Sequence, residues 1–468
     1  MNKIIKSINT VCCIGAGYVG GPTMAVIAKH CKNIKVTVLD INQDKINAWN
    51  SENLDDLPVY EPGLKEIVRE TRGKNLFFST DIAGSLEKAD MVFISVNTPT
   101  KSKGLGAGYA SDLKWVEASA RTVSEFAKGH TIVVEKSTVP VRTAELIKEI
   151  LILSCDKKDD KKTFSVLSSP EFLAEGSAIK DLESPDRVLI GGDNQKAIHK
   201  LSEIYQKWIP KNKILHTNLW SSELSKLTAN AFLAQRVTSI NAIAALCEPT
   251  GAKIKEVSNA IGYDSRIGEK FLEASPGFGG SCFKKDILNL VYLCRYYGLE
   301  EIAKYWEQVS IVNEWQKLRI ASLIVDKLYG TVSLKNILIL GFSFKANTND
   351  TRESASISIS RYLIDNGAKL LIHDPQVNEK QIANDLKENS SKIDCSSEGG
   401  WSYINNIYKS AKGVDAIVVL TEWDLYKTLE WEKLFELMRK PAWVFDTRSV
   451  VNSENLEKIG FRVWKLGQ

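Results

Sequence analysis

One short pattern near the start of the chain constrains the fold more than any other. Gly15, Gly17 and Gly20 form a G-x-G-x-x-G pattern between the apolar run TVCCIG and a segment with helical periodicity. The next apolar run, VTVLD, ends at Asp40. Strand, glycine turn, helix, strand and terminal acid in this order predict a βαβ unit whose turn binds the pyrophosphate of a dinucleotide.

The same pattern favours NAD over NADP. Asp40 lies where a carboxylate binds the ribose hydroxyls, and its charge repels an additional 2′-phosphate. Lys45 is a second candidate at the adenosine ribose or its phosphate, although an exposed helical lysine is the simpler interpretation of that residue alone. The competing interpretation is a glycine turn that serves only helix–strand packing, and the order of the elements weighs against it.

Apolar runs separated by helix-length segments continue along the first 190 residues or so and predict a mostly parallel sheet. They are TVCCIG, VTVLD, MVFISV, TIVVE, FSVLSS and RVLIGG. From about Trp220 to Leu328 the strand signals stop, and a long helix is predicted that ends near Pro249. Strand signals return as NILILG, KLLIHDP, DAIVVLTEW and AWVFDTR, which predict a second α/β domain.

Composition excludes several classes of protein. A chain of 468 residues is long enough for two or three domains. Its net charge of +4 does not suggest a nucleic-acid or membrane-surface partner, and Gln235 and Arg236 interrupt the most apolar later segment. The N-terminal run faintly resembles a signal peptide but leads directly into the glycine pattern, so we expect a cytoplasmic enzyme.

The eight cysteines show no C-x-x-C pair and no clustering with the five histidines, so we predict neither a zinc site nor a disulfide framework. Cys155 and Cys395 lie in the polar segments CDKKDDKK and ENSSKIDCSSEGGW, which we expect to be exposed loops. Five others are predicted to be small buried core residues: Cys12, Cys13, Cys31, Cys247 and Cys294.

The remaining cysteine, Cys282, stands in GFGGSCFKKD, at the end of a glycine-rich turn and at the start of a predicted helix. The helix dipole and lysines such as Lys284 and Lys285 favour its thiolate. A thiolate adds to an aldehyde to give a thiohemiacetal, which can lose hydride and become a thioester. A dinucleotide site combined with such a cysteine predicts a four-electron oxidation that uses two NAD molecules in succession.

Three pairs of polar residues at i, i+4 spacing fall in segments that we expect near the cofactor. Residues four apart lie on one face of a helix, so each pair can present two groups to one cavity. A solvated face is the simpler interpretation of any one pair, and the three together favour a site. The pairs are Glu171 with Glu175, Lys226 with Asn230, and Cys282 with Asp286.

Several long blocks of the sequence together resemble one family, the UDP-glucose 6-dehydrogenases, from about residue 8 to residue 450. The blocks are GAGYVGGPT, STVP, PEFLAEGSAIKDL, PDRVLIGG, SSELSKLTANAFLAQR, GFGGSCFKKD and DTRES. The resemblance implies UDP-glucose as substrate, UDP-glucuronate as product and NAD as cofactor. It also implies two Rossmann-like, doubly wound α/β domains joined by a long-helix dimerisation domain, with boundaries that we place at 1–219, 220–333 and 334–468.

The resemblance also implies roles for individual residues. Cys282 matches the nucleophile, and Lys226 and Asp286 match the acid and base around the reacting C6 oxygen. Asn230 matches the partner of Lys226 in stabilising the oxyanion. Glu171 and Thr138 match residues that position or activate the water that hydrolyses the thioester.

The binding residues follow in the same way. Arg266 matches an arginine that enters the site of a neighbouring subunit, which implies a homo-oligomer built from dimers, either a dimer or a hexamer. The expected cofactor-binding residues are Gly15, Gly17, Tyr18, Val19, Gly20, Asp40, Lys45, Thr98, Ser137, Thr138, Glu175 and Arg352. The expected substrate-binding residues are Glu171, Phe172, Leu173, Lys226, Asn230, Arg266, Phe271, Phe278, Gly279, Cys282, Phe283, Phe344, Lys345 and Arg448.

Two positions depart from the family pattern. Glu273 and Ser449 stand where animal relatives carry a lysine and a second arginine. Both changes remove positive charge near the expected diphosphate, so affinity or feedback inhibition by a nucleotide sugar is expected to differ while the chemistry is unchanged.

Three alternatives remain open. A dehydrogenase of UDP-N-acetylmannosamine or GDP-mannose would use Cys282 in the same way. A two-electron hydroxyacid dehydrogenase would not need the cysteine. A catalytically silent NAD- or nucleotide-sugar-binding regulator would be expected to have lost Cys282, Lys226 or Asp286, and all three are present.

Overall fold

The computed structural model describes residues 7–154, 162–387 and 399–468. Two compact units make up the chain. The first consists of Met1–Ala229 and Leu288–Gly298, and the second of Asn230–Ile287 and Leu299–Gln468. Cys155, Cys395 and most of the two polar segments that contain them lie outside the described residues.

The first unit contains an eight-stranded sheet with the strand order β3-β2-β1-β4-β5-β6-β7-β8. Its neighbouring strands pair in parallel, except that β6 and β7 pair antiparallel. The first six strands therefore have the doubly wound order that places a ligand crevice between β1 and β4. The strands are β1 (Thr10–Ile14), β2 (Lys35–Leu39), β3 (Leu76–Ser79), β4 (Met91–Ile94), β5 (His130–Glu135), β6 (Thr163–Ser168), β7 (Val188–Gly192) and β8 (Ile214–Thr217).

Helices cover both faces of this sheet, which explains why β1 reads as a continuous apolar run. Successive residues of a strand point to opposite faces, so Val11 and Cys13 join one buried cluster and Cys12 and Ile14 join another. The helices are α1 (Gly20–His30), α2 (Gln43–Asn50), α3 (Leu64–Thr71), α4 (Ile82–Leu86), α5 (Lys114–Phe126), α6 (Thr143–Leu153), α7 (Ala178–Glu183) and α8 (Gln195–Tyr205), with 3-10 turns at Leu54–Asp56 and Lys211–Lys213.

The middle of the chain is helical, as predicted, and no described residue between β8 and β9 belongs to a strand. The predicted long helix is α9, which ends at Thr250 just before Gly251. Gly251 has a φ of 76°, the left-handed conformation that commonly ends helices. The helices of this section are α9 (Leu219–Thr250), α10 (Ile254–Gly262), α11 (Phe283–Tyr296) and α12 (Glu300–Lys327).

The second unit contains a six-stranded sheet with the order β11-β10-β9-β12-β13-β14. All its pairs are parallel, and the order matches that of the first six strands of the other sheet. The prediction of two Rossmann-like, doubly wound domains with a helical central section is confirmed. The strands are β9 (Asn336–Leu340), β10 (Lys369–His373), β11 (Gly400–Tyr403), β12 (Ala416–Val419), β13 (Trp443–Asp446) and β14 (Arg462–Lys465).

This sheet also has two buried faces. Ile337 and Ile339 of β9 join one apolar cluster, and Leu338 and Leu340 join another. Its helices are α13 (Ala355–Asp365), α14 (Glu379–Leu386), α15 (Ile407–Ser410), α16 (Asp424–Lys427), α17 (Trp431–Leu437) and α18 (Ser453–Ile459).

One sequence-based expectation about these strands is wrong. The end of the segment ENSSKIDCSSEGGW was expected to be an exposed loop, but Gly400–Tyr403 forms the edge strand β11 and Trp401 is fully buried. The strand has only four residues and begins at a glycine pair, so the sequence shows no apolar run that would predict it. The Trp401 indole packs into the same apolar cluster as Ile337. The short strands β3, β8 and β14 were also not predicted.

Candidate active site

The glycine turn has the shape that pyrophosphate binding requires. Gly15 has a φ of 111°, and a Cβ there would lie 2.1 Å from the carbonyl oxygen of Ser95. A Cβ on Gly20 would lie 2.0 Å from the carbonyl oxygen of Gly15, so the helix packs closely on the strand. By contrast, a Cβ on Gly17 would meet no protein atom within 4 Å, which leaves its backbone open to a ligand. The adjacent Tyr18 and Val19 lead into α1.

Asp40 follows β2 at the carboxyl edge of the sheet, where a ribose-binding acid is expected. Its Oδ2 accepts a hydrogen bond from the Ala16 amide at 3.0 Å and pairs with Lys45 Nζ at 2.9 Å. Burial acts to raise the pKa of Asp40, but Lys45 and the amides of Ala16 and Asn42 outweigh it and lower the pKa. The carboxylate is therefore ionised at neutral pH, and Lys45 lies beside it.

The loops after β4 and β5 meet at the same edge. The Thr98 hydroxyl donates to the Thr138 carbonyl at 2.8 Å, and the Ser137 hydroxyl accepts from the Val96 amide at 3.0 Å. Parallel strands bring their carboxyl ends to one edge, which is why residues 40 and 41 apart in the chain are joined here. Three of the predicted cofactor residues thus share one loop pair beside the β1–β4 crevice.

Glu171 follows β6 and has a partner that the sequence analysis missed. Its Oε2 lies 2.9 Å from Nζ of Lys136, which follows the neighbouring strand β5 and is almost fully buried. Lys136 also donates to the Tyr205 hydroxyl at 3.2 Å. Burial acts to lower the pKa of Lys136, but Glu171 and Tyr205 outweigh it and raise the pKa. A lysine directly after a buried strand, in EKSTVP, was the available signal.

The Phe172 ring lies close to two cations of the first unit. The Arg187 guanidinium carbon is 3.7 Å from the centre of its ring, and Lys226 Nζ is 5.3 Å from it. Arg187 was not among the predicted residues. Phe172 and Arg187 line a pocket of about 20 Å³ together with Lys136 and Glu171. This volume is enough for one water molecule. Leu173 and Glu175 continue the same loop toward α7.

Lys226 and Asn230 lie one turn apart on α9, and both are buried. Asn230 Nδ2 donates to Asp286 Oδ2 at 2.6 Å. Asp286 is fully buried in the first turn of α11, and its second oxygen lies 3.9 Å from Lys285 Nζ. The prediction that Asn230 and Asp286 share a site is thereby supported by geometry, while their chemical roles stay predictions.

Cys282 directly precedes α11, as predicted, and is a partly exposed free thiol. Its Sγ lies 3.4 Å from the Ser281 hydroxyl, and its carbonyl accepts from the Asp286 amide at 2.9 Å. The Lys284 side chain, expected to favour the thiolate, is instead paired with two carboxylates, Glu353 at 2.8 Å and Glu314 at 3.5 Å.

Aromatic rings and glycines surround the nucleophile loop. The Phe283 ring centre lies 5.7 Å from that of Phe278 and 6.4 Å from that of Phe271. A Cβ on Gly279 would lie 2.8 Å from Cβ of Phe344, so only glycine allows this close approach. The structure therefore brings together four of the predicted substrate-binding aromatic positions.

Three predicted cations of the second unit lie after β9 and β13, at the carboxyl edge of the second sheet. Arg448 donates to the carbonyls of Phe344 and Leu420, both at 2.9 Å. Lys345 Nζ lies 5.6 Å from the centre of the Phe344 ring. Arg352 forms a two-pronged pair with Asp350.

Three further positions are exposed or in turns. Arg266 is 87% exposed and bound to Asp264 of its own chain, so its reach into a neighbouring subunit stays a prediction. Glu273 is exposed and pairs with Lys255 at 3.1 Å. Ser449 has a φ of 54° in the turn after β13.

Among the described residues, no cluster of three or more His, Cys, Asp or Glu side chains is suited to hold a metal ion. Nor does any helix in the described ranges have the length and apolarity needed to cross a membrane. The six cysteines described are all free, and the five predicted to be buried are buried.

Two Rossmann-like sheets, an open glycine turn followed by an acid at the end of β2, and a cysteine at a helix start are the features of an NAD-linked dehydrogenase. Family models match in chain order: the NAD binding domain at 9–209, the central domain at 220–315 and the UDP binding domain at 338–453. The chain belongs to the UDP-glucose/GDP-mannose dehydrogenase family, and NAD is its cofactor.

Relatives match over nearly the whole chain. The UDP-glucose 6-dehydrogenase of Gallus gallus is 55% identical over 98% of this chain and 93% of its own length. UDP-glucose 6-dehydrogenase 1 of Glycine max is 53% identical over 98% of this chain and 97% of its own length. The solved structure of a UDP-glucose dehydrogenase from Pyrobaculum islandicum is 27% identical, with a TM-score of 0.82 over 99% of this chain and all of that one.

Proposed function

We propose that the protein oxidises UDP-glucose to UDP-glucuronate with two NAD and one water, and releases two NADH. The main support for UDP-glucose as the substrate is sequence similarity. The chain is 55% identical, over 98% of its length, to a relative named UDP-glucose 6-dehydrogenase. Cys282 at the start of α11 supports a four-electron reaction, although it would serve UDP-N-acetylmannosamine or GDP-mannose equally well.

The first oxidation requires a group that takes the proton of the C6 hydroxyl. Lys226 and Asp286 are proposed for that proton and for its later return, and Asn230 fixes the Asp286 carboxylate through its 2.6 Å hydrogen bond. Asn230 and Lys226 then stabilise the developing oxyanion, a contribution worth about 3 to 4 kcal/mol for a single donor. When bound, NAD accepts the hydride from C6 in each of the two oxidations.

The second oxidation needs Cys282. Its sulfur bonds to the aldehyde carbon while the aldehyde oxygen gains a proton, which gives a thiohemiacetal. Loss of that proton and of the second hydride leaves a thioester. Water then attacks the carbonyl carbon, the carbon–sulfur bond breaks, and Cys282 returns as the thiol beside a carboxylate product.

We assign the positioning of this water to Glu171 and Thr138. The pocket beside Glu171 has room for about one water, and Lys136 fixes the carboxylate at 2.9 Å. Carboxylate oxygens accept hydrogen bonds, so a carboxylate held in place by a charged partner can orient a water molecule.

A homo-oligomer is supported by apolar side chains exposed on α9 and α12. Phe232, Ile243 and Leu246 of α9 are 41 to 59% exposed, and their spacing places them on one face of the helix. A second stripe on α12 consists of Ile311, Trp315 and Leu318, each about half exposed. Monomers rarely expose such stripes, so we propose the second copy of this chain as their partner and Arg266 as a contribution to its site.

We keep the domain boundaries at 1–219, 220–333 and 334–468 as a proposal, with NAD in the first domain and the UDP-sugar in the third. The six described free cysteines fit a reducing compartment, and we propose the cytoplasm.

The test is the stoichiometry of the reaction. Purified protein is supplied with NAD and limiting UDP-glucose, and the NADH formed is measured by its absorbance. The product is identified by mass.

 Two NADH per sugar and a glucuronate product are the expected result. One NADH per sugar would refute the four-electron reaction, and turnover of UDP-N-acetylmannosamine or GDP-mannose in place of UDP-glucose would refute the substrate.

A further inference from the structure

Four charged side chains of the second unit form a connected cluster beside the nucleophile loop. Lys284 pairs with Glu353 at 2.8 Å and with Glu314 at 3.5 Å. Lys317 pairs with Glu314 at 3.0 Å and donates to the Glu353 carbonyl at 3.4 Å. We refer to Lys284, Glu314, Lys317 and Glu353 as the four-charge cluster. It joins the first turn of α11 to α12 and to the turn before α13.

The backbone of the same two segments is also in direct contact. The Gly280 amide donates to the Arg352 carbonyl at 2.8 Å. A Cβ on Gly279 would lie 2.7 Å from the Glu353 carbonyl oxygen. The loop that ends at Cys282 therefore lies against residues 352 and 353. The ion pairs of the four-charge cluster add to this backbone contact.

Glu353 itself has a φ of 55°, a conformation that is uncommon outside glycine. Such a residue persists when its surroundings hold it there, and residues of this kind concentrate at functional sites. Here its side chain is held by Lys284 and its carbonyl by Lys317, whose side chain is only 2% exposed.

α12 holds the other end of the loop. The Asn313 side chain accepts from the Phe278 amide at 2.8 Å and donates to the Phe278 carbonyl at 3.1 Å. Gln316 donates to the Ser275 carbonyl at 3.1 Å. Ser275 and Phe278 are thus attached to α12 by neutral hydrogen bonds, whereas the start of α11 is attached by charges.

We propose that Lys284 is a positioning residue, which acts through the four-charge cluster to hold Cys282 in its reactive orientation. This inference rests on the proposed role of Cys282 as the nucleophile. It differs from the simpler electrostatic role, in which Lys284 favours the thiolate by its own charge, because both of its carboxylate partners offset that charge.

The two roles of Lys284 predict opposite changes in the rate of Cys282 alkylation for the variant Glu353→Gln. If Lys284 acts by charge alone, Lys284→Gln slows alkylation of Cys282 and Glu353→Gln accelerates it, because the second change removes a negative charge. If Lys284 positions the loop, both variants slow alkylation. The double variant is then no slower than the slower single variant, because both changes break one connection.

The experiment measures the rate of Cys282 alkylation by iodoacetamide in the full chain without substrate, with the site identified by mass spectrometry. We expect Lys284→Gln and Glu353→Gln each to slow it about 3- to 10-fold, corresponding to about 0.7 to 1.4 kcal/mol. Lys284→Arg is expected to retain the wild-type rate within about twofold, since it keeps the charge. Lys304→Gln, which breaks an exposed pair with Glu301 on α12, is the matched control and is expected to change nothing.

Turnover provides the second measurement. The same two variants are expected to lower kcat about as much as they slow alkylation, with the KM for UDP-glucose within about twofold of wild type. Faster alkylation of Glu353→Gln, an unchanged rate for Lys284→Gln, or additive losses in the double variant would each overturn the proposal. If Lys284→Gln does not fold, Glu353→Gln and Glu314→Gln provide the same comparison. Because alkylation needs no substrate, it tests the positioning role even if UDP-glucose proves to be the wrong sugar nucleotide.

Discussion

At the scale of single residues, burial separates the cysteines of this chain into two kinds. Burial raises the pKa of Cys12 to about 12 and that of Cys31 to about 11, so these side chains are protonated thiols at neutral pH. Cys282 is partly exposed and precedes the N-terminus of a helix, the setting in which a cysteine acts as a nucleophile.

Replacing the proposed nucleophile gives the first prediction. Cys282→Ser is expected to lower net turnover at least about 10³-fold, because the second oxidation loses its sulfur. NADH formation with UDP-glucose measures the loss, and mass spectrometry detects any ester trapped on the serine.

The control for this variant is Cys294→Ser, since Cys294 is buried farther along the same helix. It is expected to retain wild-type turnover if it folds. Full steady-state activity of Cys282→Ser would contradict the covalent mechanism.

At the scale of elements, helix α9 holds the start of α6. Glu223 of α9 accepts hydrogen bonds from the amides of Arg142 and Ala144, both at 2.7 Å. These amides lie at the N-terminus of α6, where backbone donors lack partners within the helix. The loop that contains Ser137 and Thr138 leads into α6. Glu223 of α9 therefore helps to position this loop by holding the start of α6.

This contact predicts a pH dependence. Burial raises the pKa of Glu223 to about 7, so between about pH 4.5 and pH 7 the folded chain keeps a proton that the unfolded chain releases. The unfolding free energy therefore falls as the pH rises through that window, by at most about 1.4 kcal/mol per pH unit. Glu223→Gln has no such proton.

The measurement compares Tm of Glu223→Gln and wild type at pH 5 and pH 8. We expect the Tm of the variant, relative to wild type, to be higher at pH 8 than at pH 5. The opposite trend would mean that the two amide donors outweigh burial and favour the charged carboxylate.

At the scale of the whole molecule, the apolar stripes on α9 and α12 predict an assembly of more than one chain. Leu246→Glu is expected to weaken that assembly and lower the mass measured by light scattering, because it buries a charge at the proposed contact. Leu425→Glu, at a similarly exposed leucine outside both stripes, is the control and is expected to leave the mass unchanged. A monomeric wild-type protein would contradict the proposed oligomer.

Much of the fold could be predicted because local patterns specify its larger elements. Strands buried on both faces, such as β1 and β9, require continuous apolar runs, and the glycines of the first turn are required by backbone geometry. The edge strand β11 could not be predicted, because its four residues take their stability from pairing with β10 and from burial of Trp401. Strand propensity depends strongly on such neighbours.

For this protein, the sequence by itself determined the two α/β domains, the long helix between them, the dinucleotide turn and the position of Cys282 at a helix start. Each of these depends on residues close together in the chain. Only the tertiary structure decided that Lys136 pairs with Glu171, that Glu223 holds α6 and that Glu314 and Glu353 bind Lys284. The strength of a charge pair depends on the burial of its side chains and on the distance between them. Both are set by how the elements pack.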